Sequence, residues 1–347
     1  MAGGYGHVAD AAKRSVTEHG VPACQVAIAV DGDVQLFEAF GDCSTSTRFP
    51  IYSATKPLVA SAVWQLIGDG LLDVSLPVAH YVPEFGANGK DAVTVEQVML
   101  HISGFPNAPM APSVGADPKR RAARFAEWTL EWEPGSRFEY HPGTAHWVLA
   151  ELLHRLGGGD FRDVIEQRVT APLGLPRLLG IPEDDQEDIA LPVVADGGDT
   201  AIVDYLTNGP ARAAGVPGGG GIATAEDVVR LYQAFLHDPK GLWDPAVLLD
   251  VKTNVRCNLP EPMMGVPVMR TLGLVLAGDD GKHQLRYAGF GKGASPAAFG
   301  HMGAHFQLAW ADPATGVSVA YVNNLVTDNM RHAGAVIPVS DAATVVA

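Results

Sequence analysis

A serine and a lysine stand three residues apart at Ser53 and Lys56, in the segment SATK at residues 53–56. At the start of a helix this spacing places both side chains on one face, one turn apart. A serine hydroxyl is a weak nucleophile that needs a base beside it, and an amine can be that base if burial or a neighbouring cation lowers its pKa. The pair therefore predicts nucleophilic catalysis. Taken alone, it also fits an N-cap serine followed by an exposed lysine.

The sequence around this pair favours the catalytic interpretation. Apolar residues recur at three- and four-residue steps over residues 53–69, which predicts a helix that ends at Gly70. The SxxK pattern occurs once in the chain, and no GxSxG, HExxH or Walker A motif competes with it. The twelve histidines are scattered and never stand at metal-ligand spacing with carboxylates. We therefore expect neither a metal nor another cofactor.

The elements that must position this pair change along the chain. Residues 8–19 are predicted to form a helix, and residues 25–30 and 34–40 two strands joined at Asp31-Gly32. Helical patterns then dominate to about residue 215, and a helix capped by Thr224 follows the PGGGG segment at 217–221. Further strands are expected at residues 271–277, 284–287, 306–311 and 317–322.

Strands at both ends of the chain and helices between them predict an α+β fold. In this interpretation residues 1–75 and 218–347 together form a sheet domain built from both termini. Residues 76–217 form an inserted, mainly helical domain, and the active site lies in the cleft between the two domains.

Composition excludes several classes of function. The formal net charge is −15, which argues against a nucleic-acid surface. No stretch approaches the ~18 apolar residues of a membrane span, and the first residues lack the apolar segment of a signal peptide. Cys24, Cys43 and Cys257 have no CxxC spacing and do not predict a disulfide framework. We expect a cytoplasmic protein that binds neither nucleic acid nor membranes; its oligomeric state stays open, with a homodimer as one option.

Five segments in order resemble a known family. Ser53-x-x-Lys56 is similar to the first motif of the class C β-lactamase, DD-peptidase and family VIII esterase group, within the serine β-lactamase and penicillin-binding-protein superfamily. The other four are HISGFP at 101–106, PGSRFEYHP at 134–142, the glycine-rich GGGGIATA at 218–225 followed by Asp227, and HMG at 301–303. The resemblance implies an antiparallel sheet flanked by helices with a helical insertion.

The same resemblance implies roles for individual residues. Ser53 would be the acylated nucleophile, and Lys56 and Tyr140 would share its proton in acylation and deacylation. The backbone N–H groups of Ser53 and Ala304 would form the oxyanion hole. The substrate cleft would be lined by His301, Gly303, His141 and Pro142. Taken alone, Tyr140 also fits a buried core residue and His301 a solvent-facing histidine at a strand end.

Two departures from the family pattern bear on the substrate. Pro142 stands where β-lactamases have an asparagine, so the side-chain amide that would bind a substrate amide is missing. His301 stands where penicillin-recognising enzymes have a lysine, and a neutral imidazole lacks the permanent positive charge that attracts a carboxylate. An ester depends less on both groups, because its alkoxide leaves without the N-protonation that an amide requires.

These departures predict a serine carboxylesterase whose partner is a small, uncharged ester. The alternatives on the same fold are a β-lactamase, a D-amino-acid peptidase or amidase, or an acyltransferase. A non-catalytic ligand-binding protein on this scaffold is the alternative from a different class. Nothing in the sequence identifies the natural ester, and the role of His141 beside Tyr140 stays open.

Overall fold

The computed structural model describes residues 4–195, 197–198, 200–286, 289–327 and 329–345, without the side chains of 329–331. In these residues the strands are β1 Ala23–Val30, β2 Asp33–Gly41, β3 Phe49–Tyr52, β4 Val193–Val194, β5 Gly221–Ala223, β6 Val275–Leu276, β7 Phe299–Gly300, β8 Leu308–Asp312, β9 Val317–Asn323 and β10 Leu325–Val326.

The α-helices of the same residues are α1 Gly6–Thr17, α2 Lys56–Gly68, α3 Val78–Tyr81, α4 Val95–Met99, α5 Pro112–Gly115, α6 Pro118–Glu127, α7 Thr144–Gly157, α8 Phe161–Ile165, α9 Thr200–Leu206, α10 Gly209–Ala214, α11 Ala225–His237, α12 Pro245–Thr253 and α13 Asn329–Ala343. A 3-10 turn, Ser53–Thr55, leads directly into α2.

The central sheet joins the two ends of the chain. Its strand order is β2-β1-β9-β8-β7-β6, and all of its pairings are antiparallel. β1 and β2 form the predicted hairpin, while β1 also pairs with β9 from Cys24↔Asn323 to Val30↔Val317. The expected α+β class with an antiparallel sheet flanked by helices is therefore confirmed.

Alternating residues of the sheet serve two cores, because successive side chains of a strand point to opposite faces. Val26 and Ile28 of β1 pack with α1 and α13 on one face. Ala27 and Ala29 belong to the larger core on the other face, where α11 packs on β1 and β9. α2 lies in this larger core and packs on α7. The division into domains at residues 76 and 217 stays a prediction.

A second, two-stranded sheet prepares the site. β3 pairs antiparallel with β5, with Phe49 opposite Ala223 and Tyr52 opposite Gly221. This pairing brings the glycine-rich segment at 218–221 against the start of α2. Neither strand was expected from the sequence, because four and three residues carry too little periodicity to predict a strand.

The structure differs most from the sequence prediction in the C-terminal third of the chain. The strand expected at 271–277 is reduced to β6, because residues 271–274 form a turn in which Gly273 has a φ of 110°. Part of the strand expected at 284–287 is a 3-10 turn, His283–Leu285, and residue 287 lies outside the described residues. Helix α13 was missed, since Gly334 and Pro338 interrupt its pattern.

Candidate active site

The turn that carries Ser53 is sharp. Tyr52, at the end of β3, has a φ of 45°, a conformation that is rare and costly for a bulky residue. Its ring packs edge-on against His305, with 5.3 Å between the ring centroids. The Thr55 hydroxyl donates to the Tyr52 carbonyl at 2.5 Å and accepts from the Gly221 amide at 2.8 Å. These contacts tie the turn to β5 and place Ser53 between strand and helix.

Lys56 is buried beside Ser53 with only 1% of its surface exposed. Its Nζ lies 3.1 Å from Ser53 Oγ, so the expected shared face is present. The same nitrogen donates to the carbonyl oxygens of Pro142 at 2.8 Å and Gly218 at 2.6 Å. The alternative of an exposed lysine after an N-cap serine is therefore wrong.

The surroundings of Lys56 favour its neutral form. Burial holds the pKa of this amine well below its usual value, and the positive charge of Arg270 lowers it further. Both effects disfavour the protonated amine, because a buried ammonium loses its hydration and is repelled by a neighbouring cation. A neutral amine has the lone pair that a general base needs.

Two loops must approach each other closely to enclose this amine. A Cβ atom on Gly218 would lie 2.6 Å from the Pro142 carbonyl oxygen and 3.0 Å from the Cα of Gly143. Only glycine leaves room for that approach. The PGGGG segment at 217–221 therefore provides a carbonyl for Lys56 at a distance that a side chain would prevent.

Tyr140 lies beside the serine–lysine pair. Lys56 Nζ is 4.9 Å from the centroid of the Tyr140 ring. The His101 ring lies 4.8 Å away, tilted by 32°, and the His301 ring 6.0 Å away. The structure thus brings together the three residues predicted to be catalytic. Their roles in proton transfer stay a proposal, taken up below.

The segment at 301–304 runs along the edge of the central sheet. The His301 amide donates to the Ala309 carbonyl at 3.0 Å, and Gly303 exchanges hydrogen bonds with Gln307 at 2.9 and 3.2 Å. A Cβ atom on Gly303 would lie 2.2 Å from the carbonyl oxygen of Ile51 in β3. This contact brings the half-buried Ala304 to the side of β3 from which Ser53 follows. The oxyanion hole of the Ser53 and Ala304 amides stays a prediction.

His301 is buried, with 1% of its surface exposed, so it is not a solvent-facing histidine. Burial holds the pKa of its imidazole well below the usual value, and the charges of Arg270 and Lys56 act in the same direction. Its Nδ1 lies 3.0 Å from the Met302 carbonyl, so Nδ1 carries the proton. The ring is a neutral group beside Tyr140, as expected from the residue type.

His141 and Pro142 have different surroundings, although both were expected to line the cleft. His141 is fully buried; its Nδ1 donates to the Glu139 carbonyl at 2.6 Å, and its Nε2 accepts from Ser103 Oγ and the Phe105 amide at 3.1 and 3.2 Å. The imidazole therefore joins two loops, and its assignment as a cleft residue stays a prediction. Pro142 is exposed and offers its carbonyl to Lys56.

His101 supports the same loops. It has a φ of 59°, and its Nδ1 accepts a hydrogen bond from the His141 amide at 3.1 Å. Because its ring also packs on Tyr140, the strained backbone at His101 helps to place the tyrosine beside Lys56.

Arg270 is the site residue that sequence reasoning missed. Only 2% of its surface is exposed, and its guanidinium carbon lies 5.3 Å from the centroid of the Tyr140 ring. One feature could have indicated it. It is the one charged residue in a largely apolar run over residues 266–277, where a buried charge needs a reason.

None of the helices in the described residues is both long and apolar enough to cross a membrane. No group of three or more histidine, cysteine or acidic side chains in that part of the chain is arranged to hold a metal ion.

The chain is similar to several known proteins. The Beta-lactamase family model matches residues 8–343. The chain is 29% identical over 311 residues to the esterase/beta-lactamase LipL of Mycobacterium tuberculosis, and the aligned region covers 79% of this chain and 68% of LipL. It is 27% identical over 241 residues to the esterase EstB of Burkholderia gladioli, covering 59% of this chain and 60% of EstB. The chain thus spans about two thirds of the length of these curated relatives.

Solved structures show the same fold. A penicillin-binding protein homologue from Caulobacter crescentus superimposes with a TM-score of 0.80 at 24% identity, covering 99% of this chain and 97% of the homologue. A family VIII carboxylesterase superimposes with a TM-score of 0.80 at 21% identity, covering 96% of this chain and 97% of that structure. At these identities the likeness concerns the fold alone.

The anchoring role of His141 gives a prediction. His141→Ala removes the acceptor of two buried donors, the Ser103 hydroxyl and the Phe105 amide, so we expect the free energy of unfolding to fall by about 2–3 kcal/mol. Urea unfolding followed by fluorescence measures this change. The control is His80→Ala, at an exposed histidine, which should change stability by less than about 0.5 kcal/mol. If His141→Ala had unchanged stability but an altered KM, the result would contradict the anchoring role and favour a role of His141 in the substrate cleft.

Proposed function

Because this chain belongs to the Beta-lactamase family of serine hydrolases, with the family model matching residues 8–343, we propose that it cleaves small, uncharged carboxylic esters through an acyl intermediate on Ser53. The esterase names of LipL and EstB support this substrate class, and so do the departures at Pro142 and His301.

One observation carries the proposal, the hydrogen bonding of the Lys56 amine. A neutral amine has two N–H donors and one lone pair. The carbonyl oxygens of Pro142 and Gly218 lie 2.8 and 2.6 Å from Nζ and accept both N–H groups. In the neutral amine the lone pair is then left for the third neighbour, Ser53 Oγ at 3.1 Å, and in that state the hydroxyl is the group that donates. The lysine is thus oriented as a base toward the nucleophile.

The proposed reaction follows from this arrangement. Lys56, with Tyr140, takes the proton as Ser53 Oγ attacks the ester carbonyl carbon and a tetrahedral intermediate forms. The amides of Ser53 and Ala304 stabilise its oxyanion. The carbon–oxygen bond to the alcohol breaks, the alkoxide takes the proton, and the acyl group stays on Ser53. Water then attacks the acyl carbon and gives a proton to the same pair. The bond between the acyl carbon and Ser53 Oγ breaks, Oγ takes that proton, and the carboxylic acid leaves.

The charges of the cleft favour esters over amides and β-lactams. His301 is neutral and carries no charge for a substrate carboxylate, and Pro142 contributes a carbonyl but no side-chain amide. A β-lactamase activity is the second candidate, because the name of LipL contains both activities. Acyl transfer differs only in the acceptor that replaces water. A non-catalytic binding protein would have no use for a buried lysine whose lone pair faces a serine hydroxyl.

Loss of the Ser53 hydroxyl tests the nucleophile. Ser53→Ala should abolish both p-nitrophenyl butyrate hydrolysis and labelling by a fluorophosphonate, since it removes the oxygen that is acylated in the proposed reaction. Intact-protein mass and initial rates measure the two effects. Ser61→Ala is the matched control, because this buried hydroxyl of α2 donates only to the Leu58 carbonyl, and it should keep both. Wild-type-like turnover by Ser53→Ala would refute the proposal.

Protonation of Lys56 sets a pH dependence. Because its pKa is lowered, the amine stays neutral at a pH where an ordinary lysine is charged; activity should fall only as the pH drops through this lowered pKa. We expect kcat/KM for p-nitrophenyl butyrate to fall on the acid side. Lys56→Met should lower kcat by about 10²–10⁴ and remove this limb, and Tyr140→Phe should lower kcat by a similar factor. Lys240→Met, at an exposed lysine, should keep the wild-type profile. If the acid limb of kcat/KM persisted in Lys56→Met, the limb would have to come from the titration of another group.

Substrate competition separates the ester proposal from its alternatives. We expect kcat/KM for p-nitrophenyl butyrate to exceed that for nitrocefin and for a D-Ala-D-Ala peptide by about 10² or more, which corresponds to about 3 kcal/mol of transition-state binding. Parallel initial-rate assays on one enzyme preparation, with Ser53→Ala as the blank, give the ratios. Nitrocefin or peptide turnover equal to ester turnover would overturn the preference.

A further inference from the structure

We propose that Arg270 is a positioning residue whose permanent positive charge, applied from outside the catalytic motifs, keeps Lys56 neutral and favours the phenolate of Tyr140. This inference rests on the proposed function and deepens it, because it names the residue that prepares the proton-transfer pair. It also gives a reason for a buried cation in a site whose third motif carries a neutral histidine.

The geometry places two basic side chains beside one phenol ring. The Arg270 guanidinium carbon lies 5.3 Å from the centroid of Tyr140 and 5.3 Å from that of Phe138. Lys56 Nζ lies 4.9 Å from the Tyr140 centroid. With 2% of its surface exposed, Arg270 acts through little intervening water, where electrostatic effects are stronger than at a surface.

The backbone holds Arg270 in place from one side. Its amide donates to the Cys257 carbonyl at 2.9 Å, and its carbonyl accepts from the Cys257 amide at 3.1 Å. The preceding residue, Met269, has a φ of 49°, which turns the chain immediately before the arginine. A left-handed methionine is costly, and such conformations persist where the surrounding structure imposes them.

The next turn connects Arg270 to the helix that carries Lys56. The Trp64 indole of α2 donates to the Leu272 carbonyl at 2.7 Å. A Cβ atom on Gly273 would lie 2.4 Å from the Cβ of Ala60, also in α2, so only glycine permits this contact. Since Lys56 is the first residue of α2, the turn fixes the arginine relative to the lysine.

The other groups that face Lys56 carry no permanent charge. The pKa values of His101, His146 and His301 are all held well below the usual value by burial, so these rings are neutral. In the part of the chain that the structure describes, Ser53 and Tyr140 are the other titratable or nucleophilic groups beside Lys56.

Two other charged side chains near Arg270 have their own hydrogen-bond or ion-pair partners. Glu261 and Arg286 line a small cavity together with Arg270. The Glu261 carboxylate accepts hydrogen bonds from the amides of Met263 and Met264, and Arg286 is ion-paired with Asp280. Among the described residues, Arg270 is the charged side chain that lowers the pKa of Lys56.

The sign of the effect is the same for both partners. A positive charge repels the lysine ammonium and so stabilises the neutral amine, while it attracts the phenolate and so stabilises deprotonated Tyr140. Accordingly, the pKa of Lys56 is lowered first by burial and second by Arg270. Removal of the charge should raise the pKa of Lys56 and shift the acid limb of activity to higher pH.

The test reads Lys56 directly by NMR titration of protein labelled with ¹³Cε-lysine, in which the Lys56 resonance is identified by its loss in Lys56→Met. In Arg270→Met, which keeps the side-chain bulk and removes the charge, we expect the titration midpoint to rise by about one pH unit or more. Arg286→Met is the matched control, because it removes a buried arginine of the same region that is paired with Asp280. In this variant the titration midpoint of Lys56 should match that of the wild type.

Activity provides the second readout. In Arg270→Met the acid limb of kcat/KM for p-nitrophenyl butyrate should move up in parallel, with about a tenfold loss at a pH on the wild-type limb. Arg270→Lys keeps a positive charge and should restore the limb to within about half a pH unit. If Arg270 only stabilised the fold, Arg270→Met would have a lower melting temperature. The titration midpoint of Lys56 and the acid limb of kcat/KM would then be unchanged.

The outcomes separate this inference from the proposed function. An unchanged Lys56 midpoint in folded Arg270→Met would overturn the role of Arg270, whatever the enzyme hydrolyses. A raised midpoint in a protein that shows no Ser53-dependent ester turnover would support the role of Arg270 and contradict the ester proposal instead. A midpoint that rises equally in Arg286→Met would also overturn it, because the effect would not be specific to Arg270.

Discussion

A primary amine that is cut off from water loses the hydration that stabilises its protonated form. Lys56 meets this constraint at the first turn of α2, where two carbonyl oxygens accept its N–H groups and Ser53 Oγ is the third neighbour. The rest of the site depends on that arrangement. The close contact of Gly218 with Pro142 brings the two carbonyls together, and the left-handed Tyr52 aims the serine at the amine. The structure therefore uses strain and close packing to keep one nitrogen neutral and oriented.

Local patterns made part of this predictable from the sequence. The hairpin at Asp31-Gly32 and the helix cap at Thr224 both form as expected, because a few neighbouring residues determine them. The contact between Ser53 and Lys56 is local in the same sense, since helical geometry alone brings positions three apart together. The placement of Tyr140 beside them required the family resemblance, because no local pattern relates residues that are 84 and more positions apart.

Long-range packing decides what the sequence did not reveal. The pairing of β3 with β5 joins very short strands, and helix α13 has a glycine and a proline where periodicity would have identified it. The first part of the strand expected at 271–277 is a turn because Gly273 must approach Ala60 of α2. Arg270 and His141 illustrate the same limit for the site, since one residue acts across the fold on Lys56 and the other turns out to join two loops.

The most direct test of the central claim is to trap the acyl group of a substrate on the enzyme. Wild-type protein is mixed with p-nitrophenyl butyrate, quenched in acid during turnover, digested and analysed by mass spectrometry. The account predicts one butyryl group per chain, located on Ser53, that accumulates during turnover in the wild type and is absent in Ser53→Ala. Two results would contradict it. One is ester turnover in the wild type with the butyryl group on a residue other than Ser53, and the other is a butyryl group that also forms on Ser53→Ala during turnover.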